Sequence, residues 1–349
     1  MNYDYLSLYP DELKKVMEEL KVPAFRAAQL YRWMHVSMET DPEKMTNIPS
    51  SLKLLLSERG YFTSLRLIDR QVSAVDGTEK YLFALPDDNL VESVLMRYHY
   101  GNSVCISSQV GCRMGCTFCA STLNGWERNL TPAEMLLQIY SISRITGERV
   151  SHVVVMGTGE PMDNLDNLIR FIRILTSGEG MNLSRRNITV STCGLTKEMR
   201  KFADEDLGVT LALSLHAATD EKRRRIMPVA RKYTVREVVD AAGYYSRKTG
   251  RQVTFEYALI AGVNDTPKDA EDLAGLAAPI GAHVNLIPVN PVTERGYREP
   301  DRRSAAAFKD NLEKRRINVT IRRELGRDID GACGQLRRRH LSGKEQGNQ

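Results

Sequence analysis

Long apolar runs are missing from this chain. Across 349 residues, no uninterrupted hydrophobic stretch approaches the roughly 20 residues that span a bilayer, which excludes an α-helical membrane protein. The first residues, Met1-Asn2-Tyr3-Asp4-Tyr5, lack a basic region followed by an apolar one. No secretory signal is visible, and the cytoplasm is the expected compartment. Cysteine is scarce as well. Six in a chain of this size do not make a disulfide scaffold, and clustered cysteines in a reducing compartment are read first as metal ligands or catalytic thiols. No sequence period or low-complexity tract appears, apart from a polar tail from about Ser342 that is expected to fray. Charge of one sign does not dominate either, since the formal net charge is only +5. Basic residues are nonetheless bunched, in Lys222-Arg223-Arg224-Arg225, Arg231-Lys232, Arg302-Arg303, Arg315-Arg316, Arg322-Arg323 and Arg337-Arg338-Arg339. Such groups fit a phosphate backbone or a merely solvated face, and charge alone does not choose between them.

What is present is enough apolar material, 42% of residues, for one large core with a smaller appendage. Residues 1 to about 60 carry helical periodicity, as in Asp11 to Leu20 and Phe25 to Met34. From there to about residue 100 the pattern shortens to β-like runs at Leu65 to Ile68, Lys80 to Leu85 and Val91 to Met96. After Gly101, β-branched runs at Val104 to Ser107, His152 to Met156, Ile188 to Ser191, Val209 to Leu215, Val253 to Ile260, His283 to Ile287 and Val319 to Ile321 recur. Helical stretches separate most of them, such as Thr131 to Arg144, Leu165 to Leu175, Val235 to Arg247 and Ala270 to Ala278. Alternation of this kind means βαβ units, here six repeats and one further strand. The fold class is α/β, a partial (β/α)6 barrel over 101–325, with a small α/β domain over 1–100 and a C-terminal segment over 326–349.

The segment Gln109-Val110-Gly111-Cys112-Arg113-Met114-Gly115-Cys116-Thr117-Phe118-Cys119 directly follows the first strand of the large domain. Three thiolates spaced Cys-x3-Cys-x2-Cys on one loop can ligate three irons of a [4Fe-4S] cubane. No fourth cysteine lies nearby, so one iron stays open to a ligand offering an amine and a carboxylate, as the methionine end of S-adenosylmethionine does. Structural zinc is the competing reading, but it wants four ligands, and no His or Cys sits where it would complete the set.

With Phe118 before the last cysteine, this triplet resembles the radical S-adenosylmethionine (SAM) superfamily. Over nearly its whole length the chain is similar to one branch, the adenine-C2 methyltransferases of 23S ribosomal RNA that also act on tRNA. The turn Gly157-Thr158-Gly159-Glu160-Pro161 resembles that branch's Gly-Glu-Pro motif, with Thr158 where many relatives carry Met. The resemblance therefore places Gly159 and Glu160 at the methionyl amino group. By the same matching, Ser191, Ser214, Leu215, His216 and Asn290 are cofactor contacts, all at C-terminal ends of expected strands.

Adenine C2 has no lone pair with which to attack a methyl sulfonium, so carbon must be added to it as a radical. In the family the cysteine of Cys-Gly-Gln-Leu carries the methyl that becomes this radical, and here it is Cys333. The resemblance implies two SAM molecules per turnover, one giving Cys333 its methyl and one cleaved to a 5′-deoxyadenosyl radical. It makes Glu92 the acceptor of the ring proton, and Cys105 the thiol that resolves the protein–RNA adduct through a transient disulfide with Cys333. Cys193 is left as an ordinary buried cysteine. Substrates implied are the peptidyl-transferase-centre adenine at position 2503 of 23S rRNA and adenine 37 of tRNAs. The N-terminal domain would help to hold the RNA, an external electron donor such as a flavodoxin would restore the thiols, and the enzyme would be a monomer. Two related readings stay open: adenine-C8 methylation, which uses the same thiols, and glycyl-radical activation, which shares only the triplet.

Overall fold

The β-branched runs and the stretches between them fold as that alternation requires. The computed structural model describes residues 2–290, 295–329 and 334–340. In chain order the strands are β1 (Tyr3–Asp4), β2 (Gly60–Tyr61), β3 (Arg66–Val72), β4 (Glu79–Ala84), β5 (Leu90–Tyr98), β6 (Gly101–Cys105), β7 (Gln109–Gly111), β8 (Trp126–Asn129), β9 (Val150–Val155), β10 (Ile188–Thr192), β11 (Thr210–Ser214), β12 (Thr254–Leu259), β13 (His283–Pro288) and β14 (Val319–Ile321). The α-helices are α1 (Pro10–Glu19), α2 (Phe25–His35), α3 (Ser50–Arg59), α4 (Pro132–Thr146), α5 (Leu165–Leu175), α6 (Thr196–Asp204), α7 (Asp220–Ile226), α8 (Val235–Thr249), α9 (Pro267–Ala277) and α10 (Arg302–Lys314).

Seven strands in the order β14-β13-β12-β11-β10-β9-β6 run parallel, with helices α4 to α10 in the crossovers. This is a partial barrel of six β/α units and a last strand. β11 and β12 are buried almost throughout, whereas β10 and β13 alternate buried with half-buried residues. Three crossover helices begin on the same device. Thr131, Thr234 and Thr266 each accept the N–H of the residue three further on, at 3.2 Å, while the carboxylate of that residue takes the threonine N–H. Each such capping box stabilises its helix start by about 1 kcal/mol.

Strands β3, β4 and β5 form an antiparallel meander whose last member pairs with β6, so residues 66–98 extend the barrel sheet to ten strands. Helices α1 and α2 reach α5 and α4, and α3 packs beside β2. Arg170 donates to Glu12 at 3.0 Å, and His35 lies 3.0 Å from the Tyr140 hydroxyl in a buried contact. Among the described residues no helix is long and apolar enough to cross a membrane.

The parallel strands bring their C-terminal ends together. Cys105 closes β6, Gly157 to Glu160 follow β9, Thr192 closes β10, Ser214 closes β11 and Asn290 follows β13. Folds of this kind bind ligands at that end.

Candidate active site

The three-cysteine loop is held between the hairpin of β7 and β8 on one side and α7 on the other. Gly111 has φ +75°, and a Cβ there would sit 2.0 Å from the Gly125 carbonyl oxygen, so only glycine lets the hairpin close. The Cys112 N–H donates to that same oxygen at 2.8 Å. Cys119 N–H donates to the Cys116 carbonyl at 3.2 Å, and the Thr122 hydroxyl reaches the carbonyls of both Cys116 and Cys119, at 3.2 and 3.0 Å. From α7, the Ile226 carbonyl accepts the Thr117 N–H at 2.9 Å.

Burial pushes the Cys112 thiol up to about 12, and the neighbouring Cys119 charge adds to the rise. Burial also raises Cys116, reinforced by Cys119 and Cys112. Cys112 and Cys116, buried beside Cys119 where neither ionises readily, call for a cationic partner that takes them as thiolates. A cubane does so with one iron per thiol. Among the described residues no three His, Cys, Asp or Glu side chains are grouped as the ligands of a single ion. Three thiol donors on one loop, with no fourth cysteine beside them, fit the one-thiolate-per-iron ligation of an iron–sulfur cluster.

Beside the loop, Gly159 takes φ +115°, and a Cβ would meet Gln109 at 2.7 Å. The turn delivers Glu160, 3% exposed, into a closed set of donors. Its Oε1 accepts from the Thr192 hydroxyl at 2.6 Å and the Met162 N–H at 3.1 Å, and its Oε2 accepts from the Cys193 N–H at 2.7 Å. Burial raises its pKa, and these donors pull the other way. The net effect is a carboxylate short of positive charge, which an ammonium would supply.

Ser191 and Ser214 come together across adjacent strands, hydroxyl to hydroxyl at 3.1 Å. His216 adopts φ +57°, and its Nδ1 accepts the Ala258 N–H at 2.9 Å. Burial lowers its pKa to about 3, so the ring is neutral with its proton on Nε2, and Phe118 stands edge-on to it with ring centroids 4.9 Å apart. Leu215 has its side chain in the core, its N–H on the Glu256 carbonyl, and its carbonyl on the Ala217 N–H and Arg223 Nε. Its polar groups are thus already engaged.

Asn290 and Cys105 line one cavity of about 500 Å³, together with Val94, Met96, Arg322 and Gln335. Strand β5 puts Glu92, Val94 and Met96 on one face, and Val94 pairs with Cys105. Glu92 is 4% exposed, unlike the surface residue that a lone strand glutamate suggests. Its partner is Lys80, 0% exposed, with Nζ at 3.1 Å. The same carboxylate accepts the N–H groups of Gly334 and Arg337, each at 2.6 Å, and so caps the turn that follows Cys333. Cys333 itself, and with it the expected disulfide to Cys105, lies outside the described residues, as does the tail beyond His340.

Two participants were absent from the sequence reading. Gln109 accepts the Glu160 N–H at 2.8 Å and donates to Asp163 at 3.0 Å. Lys80 was readable as the one charge inside Lys80-Tyr81-Leu82-Phe83-Ala84. The basic run 222–225 divides: Lys222 bonds Asp269 at 2.6 Å, Arg223 is buried, and only Arg224 and Arg225 face outward.

A partial barrel with this triplet at its open end defines a radical SAM protein. The Radical SAM superfamily matches residues 106–276, and a ribosomal RNA large subunit methyltransferase N-terminal domain matches residues 3–61. A probable dual-specificity RNA methyltransferase RlmN of Lachnospira eligens is 55% identical over 338 residues, 97% of each chain. Another, of Lachnoclostridium phytofermentans, is 54% identical over 96% of this chain and 94% of its own. The crystal structure of a radical SAM methyltransferase from Sphaerobacter thermophilus superposes with a TM-score of 0.90 at 40% identity, covering 95% of this chain and 98% of that one. The chain belongs to the RlmN family of radical SAM methyltransferases.

Proposed function

We propose that the protein methylates C2 of adenine in 23S rRNA and in tRNA through a methyl group carried on Cys333. The observation that carries the reading is the shared cavity, in which Cys105 and Asn290 face Gln335, two residues after Cys333 in the Cys-Gly-Gln-Leu sequence. Relatives named as dual-specificity RNA methyltransferases over the full chain supply the substrate class.

Cys112, Cys116 and Cys119 would hold a [4Fe-4S] cluster, which when bound would supply the electron for reductive SAM cleavage. Glu160 receives the cofactor's ammonium, with Ser191, Ser214, His216 and Asn290 along its length. Cys333 would take a methyl group from one SAM and then lose one hydrogen atom of it to the radical chemistry that the cluster and a second SAM would supply, and the methylene carbon left on Cys333 would bond to adenine C2. Glu92 accepts the proton from C2, and the one electron the adduct must also lose would return to the oxidised cluster that the three cysteines would hold. Because its carboxylate is occupied by Lys80 and two backbone donors, it does so by releasing one of the backbone donors. The Cys105 thiolate then attacks the Cys333 sulfur, and the carbon–sulfur electron pair stays with the methylene carbon. That carbon takes a proton and leaves as a methyl group on adenine. The disulfide left behind is reduced by an external donor such as a flavodoxin, and a single chain in the cytoplasm suffices for the cycle.

The test is nucleoside mass spectrometry of ribosomal and transfer RNA from cells lacking the protein and from complemented cells. Loss of 2-methyladenosine on deletion, and its return on complementation, is expected. Unchanged 2-methyladenosine would overturn the proposal, and loss of 8-methyladenosine instead would move the chemistry to C8.

A further inference from the structure

Arg223 heads the largest fully buried side chains, at 0% exposure. Among the described residues its hydrogen bonds all go to backbone oxygen: Nε donates to Leu215 at 3.1 Å, Nη2 to Cys193 at 2.6 Å and Nη1 to Tyr233 at 3.4 Å. Asp220, about one turn back on the helix, acts on the guanidinium from a distance but is turned elsewhere. One of its oxygens accepts the Val235 N–H at 2.7 Å, and the other lies 3.7 Å from Arg224. Among the described residues no carboxylate forms an ion pair with Arg223. A buried charge without an opposite charge costs several kcal/mol, so something must compensate it.

The surroundings point to the cluster loop. Residues on both sides of Cys116 rest on the segment that Arg223 begins: Thr117 bonds Ile226 at 2.9 Å, and a Cβ on Gly115 would lie 3.3 Å from Pro228. Cys193, whose carbonyl takes the shortest Arg223 bond, shares an apolar cluster with Ile226 and Met227, and Met114, Cys116 and Phe118 pack against it. A cubane held by three thiolates is net negative, and it gains one more negative charge on reduction. Net charge near a cluster is one of the quantities that set its potential.

We propose that Arg223 is the buried counter-charge of the cluster site and holds the cluster's reduction potential up. The inference rests on the cluster reading but not on adenine C2 as the target. Arg223 is a positioning residue: it touches neither SAM nor RNA, and it acts through the field at Cys116 and through the Cys193 and Leu215 carbonyls it ties together.

The experiment is an EPR-monitored redox titration of the full chain, reconstituted anaerobically, as wild type, Arg223→Gln and Arg223→Lys, with iron and sulfide content measured on each. At equal iron content, Arg223→Gln is expected to show a reduced-to-oxidised ratio about tenfold lower at the same poise, a shift of about 59 mV for one electron. Arg223→Lys, which keeps the charge but not the fork, is expected to stay near wild type. An Arg223→Gln curve that overlays wild type at full iron content overturns the inference. Equal shifts in both variants also overturn it, because they would make the role one of shape. Should glutamine fail to hold the fold, citrulline at position 223, which keeps the outline and drops the charge, is read against the same two results. A wild-type protein that takes up no iron would instead overturn the cluster reading itself.

Discussion

Replacing Glu160 by Gln exchanges one buried acceptor oxygen for an NH2 group and removes a charge, with little change of shape. In either amide orientation a donor faces a donor: the Cys193 N–H if the amide nitrogen takes the Oε2 place, the Met162 N–H if it takes the Oε1 place. A buried donor left unmade costs about 1–3 kcal/mol, and the unliganded protein should lose stability by that amount. The cofactor's ammonium loses a charge-assisted bond worth about 1.5–3 kcal/mol, or roughly 10- to 150-fold in affinity. The pH dependence has a defined sign. Burial raises the Glu160 pKa above its ordinary 4.5. The folded state is therefore favoured below about pH 4.5 and loses that advantage as pH climbs through the raised value, a fall that Glu160→Gln lacks. Binding of the ammonium runs the opposite way, weakening in the wild type as pH drops through the same range and staying level in the variant. Equilibrium dialysis of labelled SAM against anaerobically reconstituted proteins of equal iron content reads both effects. Wild-type affinity in Glu160→Gln at neutral pH would refute the placement of the ammonium.

Lys80→Met strands the buried Glu92 carboxylate and should cost about 3–5 kcal/mol in chemical denaturation, with Lys80→Met/Glu92→Gln recovering part of the loss; additive single effects would contradict the pairing. Gly111→Ala pushes a methyl against the Gly125 carbonyl, and the reconstituted variant should retain substantially less iron than wild type, with α-helical circular dichroism preserved; full iron loading would count against the hairpin as the clamp of the loop. Cys105→Ala should accumulate protein covalently joined to RNA, visible as an RNase-sensitive band on a denaturing gel, whereas clean turnover would remove Cys105 from the resolving step.

The barrel was legible because its strands are short β-branched runs, buried almost throughout in β11 and β12 and at alternate residues in β10 and β13, with helical stretches between them. All seven β-branched runs after Gly101 became strands, and Leu165–Leu175 is helical over the range its periodicity indicates. Helices α6, α7 and α10 escaped notice because charge masks their apolar stripes. In α10 only Ala305, Phe308 and Leu312 are buried among thirteen residues, and α7 reads Asp-Glu-Lys-Arg-Arg-Arg-Ile. A run of like charges looks uniform in sequence, but a helix turns some of its members inward, and this separates Arg223 from Arg224 and Arg225. The triplet was visible because its ligands are local in sequence. The donors around Glu160 and the capping of Gly334 and Arg337 by Glu92 join positions far apart in sequence, up to 245 residues for Arg337, which no local pattern encodes.

The claim on which the rest depends is that carbon reaches RNA by way of Cys333. Cys333→Ala, reconstituted to the wild-type iron content and supplied anaerobically with reductant, SAM and unmodified ribosomal RNA, is expected to give no 2-methyladenosine by mass spectrometry. Wild-type yield of 2-methyladenosine from that variant would contradict the account.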